Sequence, residues 1–201
     1  SGLSFIGTST ATNRTFTINN NTLTNNTGAG ADGILVGMNT LTNSVTVQNN
    51  TLTDLGYVSN VAGGSIRIQG ANYVNVSGNT IRDTGTEQYG DGIYLSNVVA
   101  TSGSRGSVLN NTIYGVGHNG IRIENGDYID VQDNTVENSN ARGMAIFYNT
   151  SANVSDNVRI LHNIVRNNRA DGIAFWGTSN GTIRNNLVTY NGSADGSYSG
   201  T

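Results

Sequence analysis

Arg67, Tyr94 and Arg122 occupy the same place in three successive copies of a short motif, GGSIRI, GDGIYL and HNGIRI, between its two apolar residues. Guanidinium groups bind carboxylates bidentately and aromatic faces stack on the apolar faces of sugar rings, so such a patch suits an acidic polysaccharide. Two positions further along stand Gln69, Ser96, Glu124, Phe147 and Trp176. Phe147 and Trp176 join Arg67, Tyr94 and Arg122 as carbohydrate-binding candidates. Asp91 and His118 lie at the leading corner, which makes Asp91, Tyr94, His118, Arg122 and Glu124 the candidates for acid–base chemistry. The plainer alternative is an exposed face whose long side chains cover one another.

The elements that position these residues follow from a repeat. Asn21, Asn50, Asn79, Asn111, Asn134, Asn163 and Asn186 are spaced 23 to 32 residues apart. Each has an aliphatic residue three before it (Ile18, Val47, Val76, Val108, Val131, Ile160, Ile183) and another two after it (Leu23, Leu52, Ile81, Ile113, Val136, Val165, Val188). Between successive Asn motifs runs ADGILV, GGSIRI, GDGIYL, HNGIRI, ARGMAI or ADGIAF. Apolar residues two apart in short β-branched runs, bounded by Gly and Asn, predict strands. A fixed repeat of this length predicts a solenoid whose units bury their apolar faces against their neighbours. The expectation is an all-β parallel β-helix of about seven coils with three short strands each. At about 4.8 Å per coil it would be roughly 35 Å long.

The seven Asn residues read as a structural ladder at one corner. An amide side chain both donates and accepts, and Asn tolerates the left-handed backbone that a sharp corner needs.

The chain has 201 residues, a net charge of −3, ten basic residues that are all Arg, and no Pro or Cys. This suits one domain and argues against nucleic acid and anionic membrane as partners. No apolar run reaches membrane-spanning length. Residues 1–190 read as a single β-helix domain and 191–201 as a flexible tail or a linker to further chain. No amphipathic helix caps either end, so further coils of the same chain, or an identical molecule stacked end to end, are expected to cover them. Ten N-x-S/T sequons, at Asn13, Asn20, Asn25, Asn49, Asn75, Asn110, Asn149, Asn153, Asn180 and Asn191, are glycosylation candidates or simply polar corner residues.

The NxT(I/V/L) and (D/N)GIxI signatures resemble the right-handed parallel β-helix repeats of the pectin lyase-like superfamily, which includes carbohydrate-binding and sugar-hydrolase proteins. The resemblance covers nearly the whole chain and implies the fold more than an activity. Pectin-degrading glycosidases of this fold carry clustered Asp on adjacent coils, whereas here the DGI aspartate is present as Asp32, Asp91 and Asp171 but replaced by Gly64, Asn119 and Arg142 in the coils between. Uronan epimerases of the fold carry a DPHD motif, which a chain without Pro cannot have, and a chain without Lys excludes a lysine-based lyase. Asp91 and Glu124 are the pair that could serve inverting chemistry, which needs carboxyls about 6.5–9.5 Å apart.

No metal or cofactor is expected. Ca²⁺ at Asp127, Asp130 and Asp133 is a minor candidate, because residues three apart on a strand alternate faces. A Thr column (Thr22, Thr51, Thr80, Thr112, Thr135) invites an ice-binding reading, which the mixed neighbouring column from Thr24 to Thr189 spoils. The leading expectation is a non-catalytic extracellular or cell-surface β-helix, part of a surface, matrix or filament-forming protein that contacts acidic polysaccharide. The alternative is a lyase, glycosidase or epimerase acting on a uronate-containing glycan.

Overall fold

A computed structural model describes residues 2–7, 14–25, 32–38, 43–55, 63–82, 90–148 and 154–192. The sequons at Asn13, Asn149 and Asn153, and the tail beyond residue 192, lie outside the described residues. Three parallel sheets carry the chain. Sheet A contains Leu3–Gly7, Ile34–Met38, Gly63–Ala71, Gly90–Val99, Ile121–Asp127, Met144–Phe147 and Ile173–Phe175. Sheet B runs from Arg14–Asn19 to Thr182–Arg184, and sheet C from Thr22–Thr24 to Leu187–Thr189, each with seven strands. The first and last coil have a neighbour on one side only. Counted as coils flanked on both sides the solenoid therefore has about five turns, fewer than the seven that the Asn count suggests.

Every apolar column aligns in register. Ile34, Ile66, Ile93, Ile121, Met144 and Ile173 pair in sequence along sheet A. The residues three before each ladder Asn align along sheet B, and those two after it along sheet C. Stacking like on like puts these side chains in one aliphatic core, closed to solvent through the central coils. Burying an aliphatic side chain of this size stabilises by about 1.5–3 kcal/mol.

The corners explain the abundance of Asn. The residue before each ladder Asn has positive φ: Asn20, Asn49, Gly78, Asn110, Asp133, His162 and Asn185. So does the residue four after it, at Asn25, Asp54, Gly115, Asn138, Asn167 and Tyr190. Each sheet C strand described at both ends is thus bracketed by two left-handed residues, a conformation that Gly, Asn and Asp adopt at least cost.

The ladder fills the corner between sheets B and C. Asn134 Nδ2 donates to Asn163 Oδ1 at 3.0 Å and to the Val108 carbonyl one coil back at 2.8 Å, while its Oδ1 accepts Asn111 Nδ2 at 2.9 Å. The same bonds repeat from Asn21 to Asn186. A second ladder was not foreseen. Ser139 N donates to Asn168 Oδ1 and Asn168 Nδ2 to Asn191 Oδ1, while Asn191 Nδ2 reaches Val165 O. Asn191, assigned to the tail on composition, therefore belongs to the solenoid. Its signal was present, since Asn168 and Asn191 each follow a ladder Asn by five residues.

Candidate functional site

The outer face of sheet A brings together the residues singled out by spacing. Strand register places Arg67 beside Tyr94 and Tyr94 beside Arg122, one coil apart, and sets Glu124 next to Phe147. The Arg67 and Arg122 guanidinium groups flank the Tyr94 ring at 5.6 and 4.7 Å from its centroid. Their Nε atoms are buried without an acceptor, so the ring face is their partner there.

Most other polar atoms of this face are engaged with one another, although Asp91 Oδ2 is buried without a hydrogen-bond donor. The Tyr94 hydroxyl donates to Glu124 Oε2 at 2.6 Å, and Arg122 Nη2 donates to the same oxygen at 2.8 Å. Arg122 Nη1 lies 3.6 Å from Asp91 Oδ2, so one guanidinium bridges both candidate carboxylates. Burial, reinforced by the bond to Glu124, pushes the Tyr94 phenol up to about 12. It stays protonated at neutral pH. Asp91 is 0 % exposed, and its Oδ1 accepts from the Asn119 amide at 3.0 Å and from Asn119 Nδ2 at 2.8 Å, with His118 Nδ1 also at 2.8 Å.

The leading corner is itself a broken ladder. Asp32 Oδ1 accepts the Gly64 amide at 2.9 Å, as Asp91 accepts that of Asn119, and Asn119 Oδ1 faces the Arg142 amide at 3.4 Å. The DGI carboxylates thus bond to the backbone of the next coil, which gives Asp32 and Asp91 a structural task. Asp32 is held above its ordinary value, because burial outweighs its bonds to the Gly64 amide and the charge of Arg67.

Towards the C-terminal coils the face changes character. Beside Arg122 the outward column falls to Ala145 and Ala174, both buried. Phe147 and Trp176 pack at 4.8 Å between ring centroids, and Arg142 lies 4.1 Å from the Trp176 ring while bonding Asp171 Oδ2 at 3.1 Å. Sequence reasoning noted Arg142 only as an interruption of the DGI pattern and passed over Tyr148. That ring is planted on Gly177, where a Cβ would meet Tyr148 Cδ1 at 2.2 Å.

The remaining candidates are dispersed. Asp127 accepts the Asp156 amide, Asp130 is clamped by Arg105 and Arg159, and Asp133 bonds Gln132 on an exposed corner. Among the described residues no group of three or more His, Cys, Asp or Glu is arranged to hold a metal ion. Asn20, Asn25, Asn49, Asn110 and Asn180 are exposed sequon positions, whereas Asn75 is half-buried in sheet B and Asn191 is tied into its ladder. The Thr column aligns in sheet C and gives way to Ile164 and Leu187, while Arg82 over Tyr114 and Arg166 on Glu137 occupy the column beside it.

Asp130 supplies a prediction. Burial alone would raise its pKa, but bonds from Arg159 and Arg105 outweigh that and hold it below the ordinary 3.8. A depressed acid contributes stability above its unfolded value and loses it as pH falls through the folded one. Asp130→Asn should therefore melt below the parent at pH 6, with the gap closing as pH falls below about 4. A gap independent of pH in thermal melts from pH 6 to 2 would deny the pair this role.

Among curated proteins and among solved structures, no match to the chain was found. A family model describing a right-handed β-helix region matches residues 1–188, in keeping with the pectin lyase-like resemblance and with the parallel solenoid of three sheets. The chain belongs to the right-handed β-helix family.

Proposed function

We propose that this chain is a non-catalytic β-helix module, part of an extracellular surface, matrix or filament-forming protein, whose sheet A face contacts polysaccharide. The observation that carries the reading is the mutual engagement of the candidate catalytic groups. A general base needs a free lone pair within reach of the proton it abstracts. Tyr94 is a buried donor to Glu124, Glu124 is bound by both Tyr94 and Arg122, and Asp91 is sealed beneath the face. Such a set ties Tyr94, Arg122 and Glu124 to one another across neighbouring strands and holds coils together.

One contact favours an enzymatic reading. His118 with Nδ1 turned to a buried carboxylate at 2.8 Å has the support that general bases use elsewhere. The test is prolonged incubation with polygalacturonate, alginate and neutral glucans, followed by absorbance of unsaturated uronate, reducing-end assay and NMR of the uronate residues. No product is expected. Any product that disappears in His118→Ala would establish the enzymatic reading and end the non-catalytic one.

A further inference from the structure

We infer that the glycan held on sheet A is an uncharged pyranose chain seated on Phe147, Tyr148 and Trp176, and not a uronate polymer held by arginine. This rests on the polysaccharide contact proposed above and names its ligand class. An acidic chain needs guanidinium groups free to receive carboxylates. Each arginine of the face already faces one: Arg67 lies 3.8 Å from Asp32, Arg122 is 2.8 Å from Glu124 and 3.6 Å from Asp91, and Arg142 is 3.1 Å from Asp171. Four carboxylates thus stand against three guanidinium groups. A uronate drawing Arg122 away would leave Asp91 buried without its counter-charge, a costly exchange.

The same pairing leaves an apolar surface at the other end of the face. Trp176 is 45 % and Tyr148 49 % exposed, and other apolar side chains of the last coil, Ile183, Leu187 and Val188, are exposed as well. These rings are fixed and not merely left over. Arg142 stacks on Trp176, Phe147 packs against it, and Tyr148 lies on Gly177, whose φ of +62° and missing side chain make room for the ring. Ala145 and Ala174 lower the floor beside them. Rigid, half-exposed aromatic rings offer large contact area at little entropic cost, and Asp171, well exposed next to Arg142, supplies an acceptor for sugar hydroxyls. Charge and shape point to the same ligand: a ring with an apolar face, polar edges and no carboxylate.

The test is affinity electrophoresis of the full chain through gels containing hydroxyethylcellulose, xylan or galactomannan, against gels containing polygalacturonate or alginate. At least one neutral polymer should retard the parent, equally at low salt and in 0.5 M NaCl (roughly a threefold to fourfold shorter Debye length than low-salt buffer). Trp176→Ala should reduce that retardation at least tenfold. Gly177→Ala should weaken it by displacing Tyr148, and circular dichroism melts of both variants establish that they remain folded. Retardation only by polygalacturonate or alginate, abolished by salt and intact in Trp176→Ala, would overturn this inference while the polysaccharide reading stands. Retardation by none of the gels would overturn both.

Discussion

Asn134→Leu is expected to destabilise the solenoid by about 3–5 kcal/mol, because one substitution strands several buried polar groups at once. The side chain is 1 % exposed. Its Oδ1 accepts both the backbone amide and Nδ2 of Asn111 at 2.9 Å, and its Nδ2 serves Val108 O, Gln132 O and Asn163 Oδ1. Leu matches the volume closely enough to avoid a large cavity, so the loss reads out hydrogen bonding. The Asn111 amide and the Val108 carbonyl have no water to turn to in a closed corner, and each unmet group costs about 1–3 kcal/mol. Urea unfolding of the parent and variant measures the difference. A loss under 1 kcal/mol would mean that strand pairing and the core hold the corner without the ladder.

The fold was legible because two periodicities coincide in it. Apolar residues two apart mark strands, and the return of Asn every 23 to 32 residues marks the coil. Register then followed from matching motifs, since a slip by one residue would turn Ile93 and Ile121 out of the core. The positions of Arg67, Tyr94 and Arg122 on one face were legible for the same reason.

The electrostatics of that face were not. Whether Arg122 is free or bridged depends on Asp91, which precedes Tyr94 by three residues at a corner, and on Glu124, which follows Arg122 by two on the same strand. A column-by-column reading keeps such residues apart, although the geometry makes them one network. Arg142 hid in the same way: it sits at the corner position of the motif, yet its guanidinium reaches the Trp176 ring one coil on. The second ladder escaped because, among the described residues, Ser139, Asn168 and Asn191 alone carry it, too few repeats to stand out in a chain so rich in Asn.

The glycine of the (D/N)GI motif gives the second large effect. Gly92, Gly120, Gly143 and Gly172 stand immediately before Ile93, Ile121, Met144 and Ile173 of sheet A in successive coils, each close against the sheet C aliphatic that follows it. A Cβ on Gly120 would lie 2.1 Å from Val136 Cγ1 and 2.6 Å from the Gly143 carbonyl, and the neighbouring glycines meet Ile113, Val165 and Val188 in the same manner. The valine could rotate, but the carbonyl accepts the Ile121 amide at 3.0 Å and is part of the stacking of coils. Gly120→Ala therefore has to push two coils apart or break that bond, at a cost of about 3 kcal/mol. Nature of contact, and not glycine itself, is at issue, since Ser65 holds the equivalent place one coil before Gly92 and is buried there. Ser65→Gly should change stability by about 1 kcal/mol or less. Urea unfolding of both variants, with amide exchange at Ile93, Ile121 and Met144, separates the outcomes. If Gly120→Ala unfolds with the parent's midpoint and protection, the coils are spaced loosely enough to admit a methyl group, and close backbone approach does not explain the motif.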